Sequence, residues 1–301
     1  MILKRRRRNK WKKLLIILFA GVILFYAGAT IVKTYKAVLS AKTQHSLQSV
    51  VADSLKDTDG AYGIMIKNLK TGETFGYNEN KMFKTGSLYK LWIMAETYDQ
   101  IQQGKVKEDE DLSEDVSVLN DKFNIASEDA ELTDGTIELT VADALNQMIT
   151  ISHNYAALLL TERIRLSTVD SFLKKYGFSN STVGIHGAAP TTTASDIALF
   201  FEKLYQGQLA NKESTDEMIE LLKNQQLNNK LPKYLPPQTT IAHKTGELDS
   251  FSHDAGIVYT KQGNYIIVIL SDTKNPPAAE EKIADISQQI YNYFLEGGER
   301  I

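Results

Sequence analysis

Residues 83–91 read Phe-Lys-Thr-Gly-Ser-Leu-Tyr-Lys-Leu, and they join a glycine-containing turn to a helical pattern. Gly86 provides turn flexibility, and from Ser87 to about Gln103 the apolar residues recur with a helical period. Ser87 is therefore expected in the first turn of a helix, where unpaired backbone N–H groups and the helix dipole favour a negative charge. Lys90 follows one helical turn later on the same face. A lysine buried there loses proton affinity and can activate the hydroxyl.

A second motif supplies further groups that such a hydroxyl needs. Ser-x-Asn occurs once, as Ser152-His153-Asn154, between two helical patterns. The Ser152 hydroxyl can relay a proton to a leaving group, and the Asn154 amide can hold a substrate carbonyl. The alternative interpretation is a helix cap with a polar neighbour, just as Ser87 and Lys90 have the alternative of an N-cap serine beside a surface lysine.

A third motif, Lys-Thr-Gly, occurs three times, beginning at Lys70, Lys84 and Lys244. Only the copy at Lys244 ends a predicted strand and is followed by further strands. On an edge strand, Lys244 and Thr245 present a cation and a hydroxyl to an anionic substrate. Gly246 permits close backbone approach, and the N–H of Glu247 can complete an oxyanion hole with the N–H of Ser87.

Other candidate residues are given structural interpretations. Ser171 and Lys174 repeat the Ser-x-x-Lys spacing, but in the middle of a predicted helix, where no oxyanion hole can form. Five scattered histidines show no spacing typical of a metal site, so we expect no metal and no cofactor. His243 and His253 flank the third motif and the following strand, and His253-Asp254 is interpreted as orienting a turn.

The order of predicted elements indicates the fold class. Helical patterns at 34–56 and 278–295 enclose strands at 61–69 and 74–77, a helical block, and strands at 239–245, 254–259 and 264–271. Short links between the last three strands predict antiparallel pairing. We expect an α/β protein of the α+β type, in which a five-stranded antiparallel sheet is flanked by terminal helices and carries an inserted all-helical lobe. The acid-rich segment Lys107 to Glu138 is interpreted as solvated loops and short helices.

The N-terminus predicts a membrane anchor. Residues 1–13 carry eight basic and no acidic side chains, and residues 14–32 form an uncharged run of 19 residues. A helix of that length rises about 28 Å, enough to span the hydrocarbon core of a bilayer. The basic residues then stay cytoplasmic, and residues 33–44 form a stalk to one extracytoplasmic domain at 45–301. The alternative is secretion after signal-peptide cleavage near Ala29.

Composition and charge exclude other classes of protein. The chain has no cysteine, which excludes disulfides, thiolate catalysis and a lipoprotein anchor. Residues 1–33 hold nine of the 34 basic residues and none of the 37 acidic ones, so the remainder has 25 basic against 37 acidic side chains, a net charge of −12. We therefore expect no nucleic acid partner.

The three motifs in this order, Ser87-x-x-Lys90, Ser152-x-Asn154 and Lys244-Thr245-Gly246, resemble the signature motifs of class A β-lactamases and penicillin-binding proteins. The flanking residues 83–91 and 242–248 and the threonines at 191–193 resemble the class A-like branch, and the similarity covers roughly residues 45–297. The resemblance implies an active site between sheet and lobe. It also implies β-lactams or D-Ala-D-Ala cell-wall peptides as substrates. The implied catalytic residues are Ser87, Lys90 and Ser152, and the implied substrate-binding residues are Asn154, Lys244, Thr245, Gly246 and Glu247.

One departure from the family pattern bears on function. Class A β-lactamases carry a glutamate that activates the deacylating water, in a long loop between the second motif and the threonine run. Here Ser171 to Ser195 contains no Asp or Glu, and its one histidine, His186, is interpreted as structural. A carboxylate such as Glu162 or Glu247 would have to reach the site from elsewhere. This favours a penicillin-binding or peptidase-like enzyme over a β-lactamase. A non-catalytic peptidoglycan-binding sensor is a third alternative.

The predicted topology has a direct test. Because residues 14–32 span the membrane and the domain lies outside, a protease added to intact cells should digest the domain or release it. An immunoblot against the C-terminus, with a cytoplasmic protein as the intact control, measures this. Complete protection of the domain until the cells are lysed would contradict the topology.

Overall fold

A five-stranded antiparallel sheet forms the centre of the domain, in the computed structural model that describes residues 28, 30–34, 46–56, 58–184, 188–248 and 250–296. The strands are β1 (Ala61–Asn68), β2 (Thr74–Tyr77), β7 (Thr240–Leu248), β8 (Phe251–Tyr259) and β9 (Tyr265–Asp272). Their order across the sheet is β2-β1-β9-β8-β7, and every neighbouring pair is antiparallel. The third motif therefore lies on an edge strand, β7.

The sheet separates two hydrophobic cores. Strand β9 is buried on both faces, and its residues alternate between the cores, as the two-residue period of a strand requires. Ile266, Val268 and Leu270 pack toward the lobe, whereas Tyr265, Ile267 and Ile269 pack toward the terminal helices. A strand whose apolar side chains point to both faces of the sheet belongs in such a central place.

The two terminal helices cover one face of the sheet. Helix α1 (Leu47–Ser54) begins at Ser46, whose hydroxyl accepts a hydrogen bond from the Ser49 N–H. Helix α9 (Pro276–Leu295) begins after Asn275, which caps it, with prolines in its first turn, where a missing N–H has no consequence. Both helices contribute apolar residues to the core behind β9.

The lobe on the other face is built mainly of helices. Its elements are β3 (Phe83–Lys84), α2 (Lys90–Gln102), β4 (Asp111–Asp115), α3 (Val116–Lys122), β5 (Thr136–Thr140), α4 (Val141–Thr150), α5 (Asn154–Ile164), α6 (Leu166–Tyr176), β6 (Thr191–Thr192), α7 (Ala194–Tyr205) and α8 (Lys212–Lys223). The predicted fold class is confirmed. Two details differ: β4 and β5 pair as an antiparallel ladder inside the acid-rich segment, and β3 pairs with β6.

His253 was predicted at a turn, and that interpretation is wrong. Strand β8 begins at Phe251, so His253 lies inside the strand and is buried. Its Nε2 lies 2.8 Å from the Lys84 carbonyl, and the Ser271 N–H donates to its Nδ1 at 3.0 Å. The ring therefore ties the sheet to the segment that precedes Ser87. Burial lowers the pKa of His253 to about 4, which fits a neutral ring with this bonding pattern.

The predicted basic tail and most of the predicted span (14–32) and stalk (33–44) lie outside the described residues, as does His186. None of the helices in the described ranges is long and apolar enough to cross a membrane.

Candidate active site

The turn that carries Ser87 packs tightly against the edge of the sheet. Residues Gly86–Tyr89 form one turn of 3₁₀-helix, directly before α2 begins at Lys90. Gly86 has a φ of +47°, and a Cβ there would lie 2.7 Å from the Phe251 ring and 3.0 Å from the Glu247 nitrogen. Glycine is therefore required for both conformation and space.

Strand β7 approaches this turn from the other side. A Cβ on Gly246 would lie 2.7 Å from the Thr85 carbonyl oxygen and 3.3 Å from the Leu88 nitrogen. Backbone contacts at both Gly86 and Gly246 therefore bring the Glu247 N–H next to the Ser87 turn. Two backbone N–H groups from different elements at one place are the arrangement of an oxyanion hole.

The second motif forms the link between α4 and α5. Ser152 has a φ of +60°, an uncommon conformation for a residue with a side chain, which costs on the order of 1–3 kcal/mol. His153 then caps α5, because its Nδ1 accepts a hydrogen bond from the Ala156 N–H at 3.1 Å. The conformation directs the side chains of both Ser152 and Asn154 toward Lys90.

Lys90 is completely buried, and its amine is surrounded by groups of the second motif. It donates to the Ser152 carbonyl at 2.5 Å and to Asn154 Oδ1 at 2.6 Å, and it lies 3.2 Å from Ser152 Oγ. Burial lowers the pKa of Lys90 well below its usual value, the charge of Lys244 lowers it further, and Glu131 opposes both effects. A neutral amine one helical turn after Ser87 has a lone pair for a proton.

Lys244 reaches the same hydroxyl from the sheet. Its Nζ donates to Ser152 Oγ at 3.0 Å and to the carbonyl of the adjacent, buried Thr245 at 3.0 Å. Burial lowers the pKa of Lys244 to about 7. Asp254 raises this pKa, Lys230 lowers it, and Glu247 raises it. The Ser152 hydroxyl therefore lies between two amines of reduced basicity.

Lys230 is a third buried lysine in this region, and no motif in the sequence predicts it. Lys230 is fully buried and forms an ion pair with Glu247. Behind it, Asp254 accepts a hydrogen bond from the Leu231 N–H at 3.0 Å and lies 2.9 Å from His243 Nδ1. The His243 ring thus supports Asp254, which in turn favours the charged form of the buried Lys244.

Glu131 is the second residue that the sequence analysis missed. Its Oε1 accepts a hydrogen bond from Asn154 Nδ2 at 2.5 Å. It comes from the acid-rich segment that was interpreted as solvated, and nothing in the local sequence distinguishes it from its acidic neighbours. The two carboxylates that the sequence offered as candidates for activating the hydrolytic water form other ion pairs. Glu162 pairs with Lys122, and Glu247 pairs with Lys230.

The predicted site residues thus lie together on three elements. Hydrogen bonds join Lys90, Ser152, Asn154 and Lys244, and backbone contacts join the Ser87 turn to Gly246 and Glu247. The second Ser-x-x-Lys motif lies within α6, where the Ser171 hydroxyl donates to the Ser167 carbonyl and Lys174 pairs with Asp170. Across the described ranges, no group of three or more acidic or histidine side chains is placed to hold a metal ion.

Comparisons with known proteins agree with this geometry. The sequence profile of the Beta-lactamase enzyme family matches residues 44–294, so the chain belongs to this family and is a serine hydrolase. The β-lactamase VEB-1 of Pseudomonas aeruginosa is 24% identical over 284 residues, which cover 87% of this chain and 94% of the relative. A β-lactamase of Bacteroides uniformis is 22% identical over 295 residues, which cover 89% of this chain and 98% of that relative.

Solved structures show the same fold. PBP-A matches with a TM-score of 0.74 and 23% identity, covering 83% of this chain and 96% of that one. A leucine-to-glutamate mutant of PBP-A, solved as an acyl-enzyme complex with penicillin G, matches equally well. A β-lactamase from Sphaerobacter thermophilus has a TM-score of 0.70 and 24% identity, and the match covers 83% of this chain and 97% of that one. The family predicted from the three motifs is confirmed.

The pKa of Lys244 predicts a pH dependence for anion binding. Its ammonium form predominates below a pKa of about 7. The affinity for an anionic ligand should therefore be highest below this pKa. Above this pKa it should fall by up to about tenfold per pH unit. The fall should end at the pKa of the complex, which the bound anion raises. The dissociation constant of a penicillin on Ser87→Ala, which cannot be acylated, measures this between pH 5.5 and 9.

The matched control is Lys244→Arg in the same Ser87→Ala background. A guanidinium keeps its charge over this range, so the part of the pH dependence that comes from position 244 should disappear. A flat profile for the variant that retains Lys244 would contradict the assignment of anion binding to this amine.

Proposed function

We propose that this member of the Beta-lactamase enzyme family forms an acyl-enzyme at Ser87 with β-lactams or D-Ala-D-Ala cell-wall peptides, and that it releases the acyl group slowly. The observation that carries the proposal is the buried Lys90 amine. It lies one helical turn after Ser87, its pKa is lowered by burial, and Ser152 and Asn154 hold it in place. This burial and bonding do not fit the alternative in which Lys90 is a surface lysine beside an N-cap serine.

Acylation follows from the positions of these groups. The Ser87 oxygen attacks the carbonyl carbon of the substrate amide, and its proton passes to neutral Lys90. The N–H groups of Ser87 and Glu247 stabilise the oxyanion that forms. When the C–N bond breaks, the Ser152 hydroxyl gives its proton to the leaving nitrogen and receives one from Lys90. The product is an ester on Ser87, with Lys90 returned to its neutral form.

The cationic side of the site supports a substrate with a carboxylate. β-Lactams and D-Ala-D-Ala peptides both carry one near the bond that is cleaved. Lys244 and Thr245 are proposed to bind this carboxylate, at the place where Gly246 brings the edge strand close to the Ser87 turn. Asn154 is proposed to bind a carbonyl of the acyl part.

Slow release of the acyl group follows from the distribution of carboxylates. A positioned base that activates the hydrolytic water contributes about 10² to 10⁴ in rate. No Asp or Glu occurs between Ser171 and Ser195, the segment that supplies this base in class A β-lactamases. The penicillin G acyl-enzyme of the PBP-A mutant is consistent with a related fold that retains such an ester.

We also propose that the domain acts outside the cytoplasmic membrane, on an anchor formed by residues 14–32. The basic cluster before this uncharged run supports the orientation. Both substrate classes are met outside the membrane. Cleavage near Ala29 would release the same domain as a secreted enzyme.

A genuine β-lactamase is the second candidate function. The similarity to VEB-1 favours it, and Glu131 places a carboxylate beside Asn154. A non-catalytic peptidoglycan sensor is not favoured, because binding alone does not require a buried lysine of lowered basicity one helical turn after Ser87.

The nucleophile is tested by covalent labelling with a fluorescent penicillin. Ser87→Ala should abolish the labelled band on a gel, because the ester cannot form. Lys90→Ala should slow labelling by at least about 100-fold, the usual scale for loss of a general base. Ser171→Ala is the matched control and should label normally. Labelling that survives in Ser87→Ala would show that another residue is the nucleophile.

The fate of the ester distinguishes the two candidate functions. Penicillin mixed with the enzyme should give a burst equal to the enzyme concentration and then weak steady-state hydrolysis, followed by absorbance and by mass spectrometry of the acylated protein. A D-Ala-D-Ala ester should turn over faster, because a smaller acyl group leaves room for water. Penicillin turnover above about 100 per second, fast for an ordinary enzyme, would make β-lactamase the leading function.

A further inference from the structure

The side-chain amide of Asn154 lies between two groups of opposite character. Its Oδ1 accepts a hydrogen bond from Lys90 Nζ at 2.6 Å, and its Nδ2 donates to Glu131 Oε1 at 2.5 Å. An amide turned by 180° would place its oxygen against the carboxylate and its NH₂ group against the amine. Glu131 therefore enforces one orientation, because a carboxylate only accepts hydrogen bonds.

The backbone next to Glu131 is clamped to the backbone next to Asn154. The buried Tyr155 hydroxyl accepts a hydrogen bond from the Leu132 N–H at 3.1 Å and lies 2.8 Å from the Leu132 carbonyl. Asn120 also donates to that carbonyl, at 2.9 Å. Glu131 and Asn154 each immediately precede a member of this clamp, so their contact is built into the lobe although the Glu131 side chain is exposed.

The orientation of Asn154 matters most when Lys90 is neutral. A neutral amine has two N–H donors and one lone pair, and the lone pair must be free to take the Ser87 proton. Without Glu131, the Asn154 amide could turn and donate its own N–H to that lone pair. The carboxylate prevents this and leaves the second Nδ2 proton for a substrate carbonyl.

The charge of Glu131 also acts on Lys90. The charged and titratable groups that face Lys90 are Lys244 on β7, His153 at the start of α5, and Glu131 on the loop before β5. Burial lowers the pKa of His153, and Lys90 lowers it further. Glu131 is thus the negative charge that acts on Lys90 in this group.

We propose that Glu131 is a positioning residue for acylation, which locks the Asn154 amide with its oxygen toward Lys90 and supplies the counter-charge that this amine faces. The proposal rests on the acyl-enzyme function of Ser87 proposed above. It assigns a role to a residue of the lobe loop before β5, which lies outside the three sequence motifs.

Three substitutions separate charge from contact. Glu131→Gln keeps an oxygen that can accept from Asn154 but removes the charge, so Lys90 should lose its proton at lower pH. The acidic limb of the acylation rate against pH should move down by about one unit. Glu131→Ala removes the contact as well and should slow acylation about tenfold or more at every pH. Glu128→Gln removes the same charge from an exposed position on the same loop and should behave as the wild type.

The readouts are the second-order rate of labelling by a fluorescent penicillin and the rate of release of the labelled acyl group. Acylation profiles that are identical in wild type, Glu131→Gln and Glu131→Ala would overturn the proposal. A loss confined to acyl release, with acylation unchanged, would also overturn it, because Glu131 would then be the hydrolytic base.

A measurement without turnover separates this proposal from the acyl-enzyme function. The titration of Lys90 can be followed by NMR in protein labelled with [¹³C]lysine, with the resonance assigned by its loss in Lys90→Met. The midpoint should be lower in Glu131→Gln than in wild type and unchanged in Glu128→Gln. Equal midpoints would overturn the role of Glu131 even if Ser87 is acylated. A shifted midpoint in a protein that penicillin never labels would support that role and contradict the proposed function.

Discussion

The burial of three lysine amines in one region is the constraint on which the rest of the structure depends. Lys90, Lys230 and Lys244 have no exposed surface, although an isolated buried ammonium is among the least favourable groups in a protein. The chain compensates in two ways. Carboxylates come from separate elements, Glu131 from the lobe loop and Glu247 and Asp254 from the sheet, and the basicity of Lys90 and Lys244 is lowered. Sheet and lobe must therefore pack together before the site exists.

The same constraint explains the unusual backbone of the site. Gly86 and Gly246 let two chain segments meet where a side chain would collide with the backbone, and Ser152 adopts a conformation that residues with side chains avoid. Each feature brings a polar group toward the Ser87 turn or Lys90. Strain of this kind persists only where the surrounding packing holds it. Here the His153 cap of α5 holds the backbone after Ser152, and the contact with β7 holds the turn at Gly86.

The sequence predicted what is local and missed what depends on tertiary contacts. Periodicity located the three motifs near the start of α2, at the α4–α5 link and on β7. The boundaries differ, because Ser87 lies in a 3₁₀ turn before α2 and β7 continues past the third motif to Leu248. The antiparallel pairing of the last three strands followed from the short connections between them. Lys230 and Glu131 were missed, since each acquires its role only from a partner far away in the chain. The β4–β5 ladder was missed because its acidic residues hide the alternation of a strand, and His253 was assigned to a turn because β8 begins earlier than its apolar pattern.

The position of Glu131 also explains why a carboxylate near the site does not by itself imply rapid hydrolysis. A general base must hold a water molecule and accept its proton. Glu131 is already hydrogen-bonded to the Asn154 amide through Oε1. If Glu131 turned toward water, the Asn154 amide would lose the contact that holds its oxygen toward the Lys90 amine and its N–H toward the substrate carbonyl. Acylation and deacylation thus make competing demands on one side chain. In the proposed function, this arrangement, with no carboxylate between Ser171 and Ser195, favours formation of the ester over its hydrolysis.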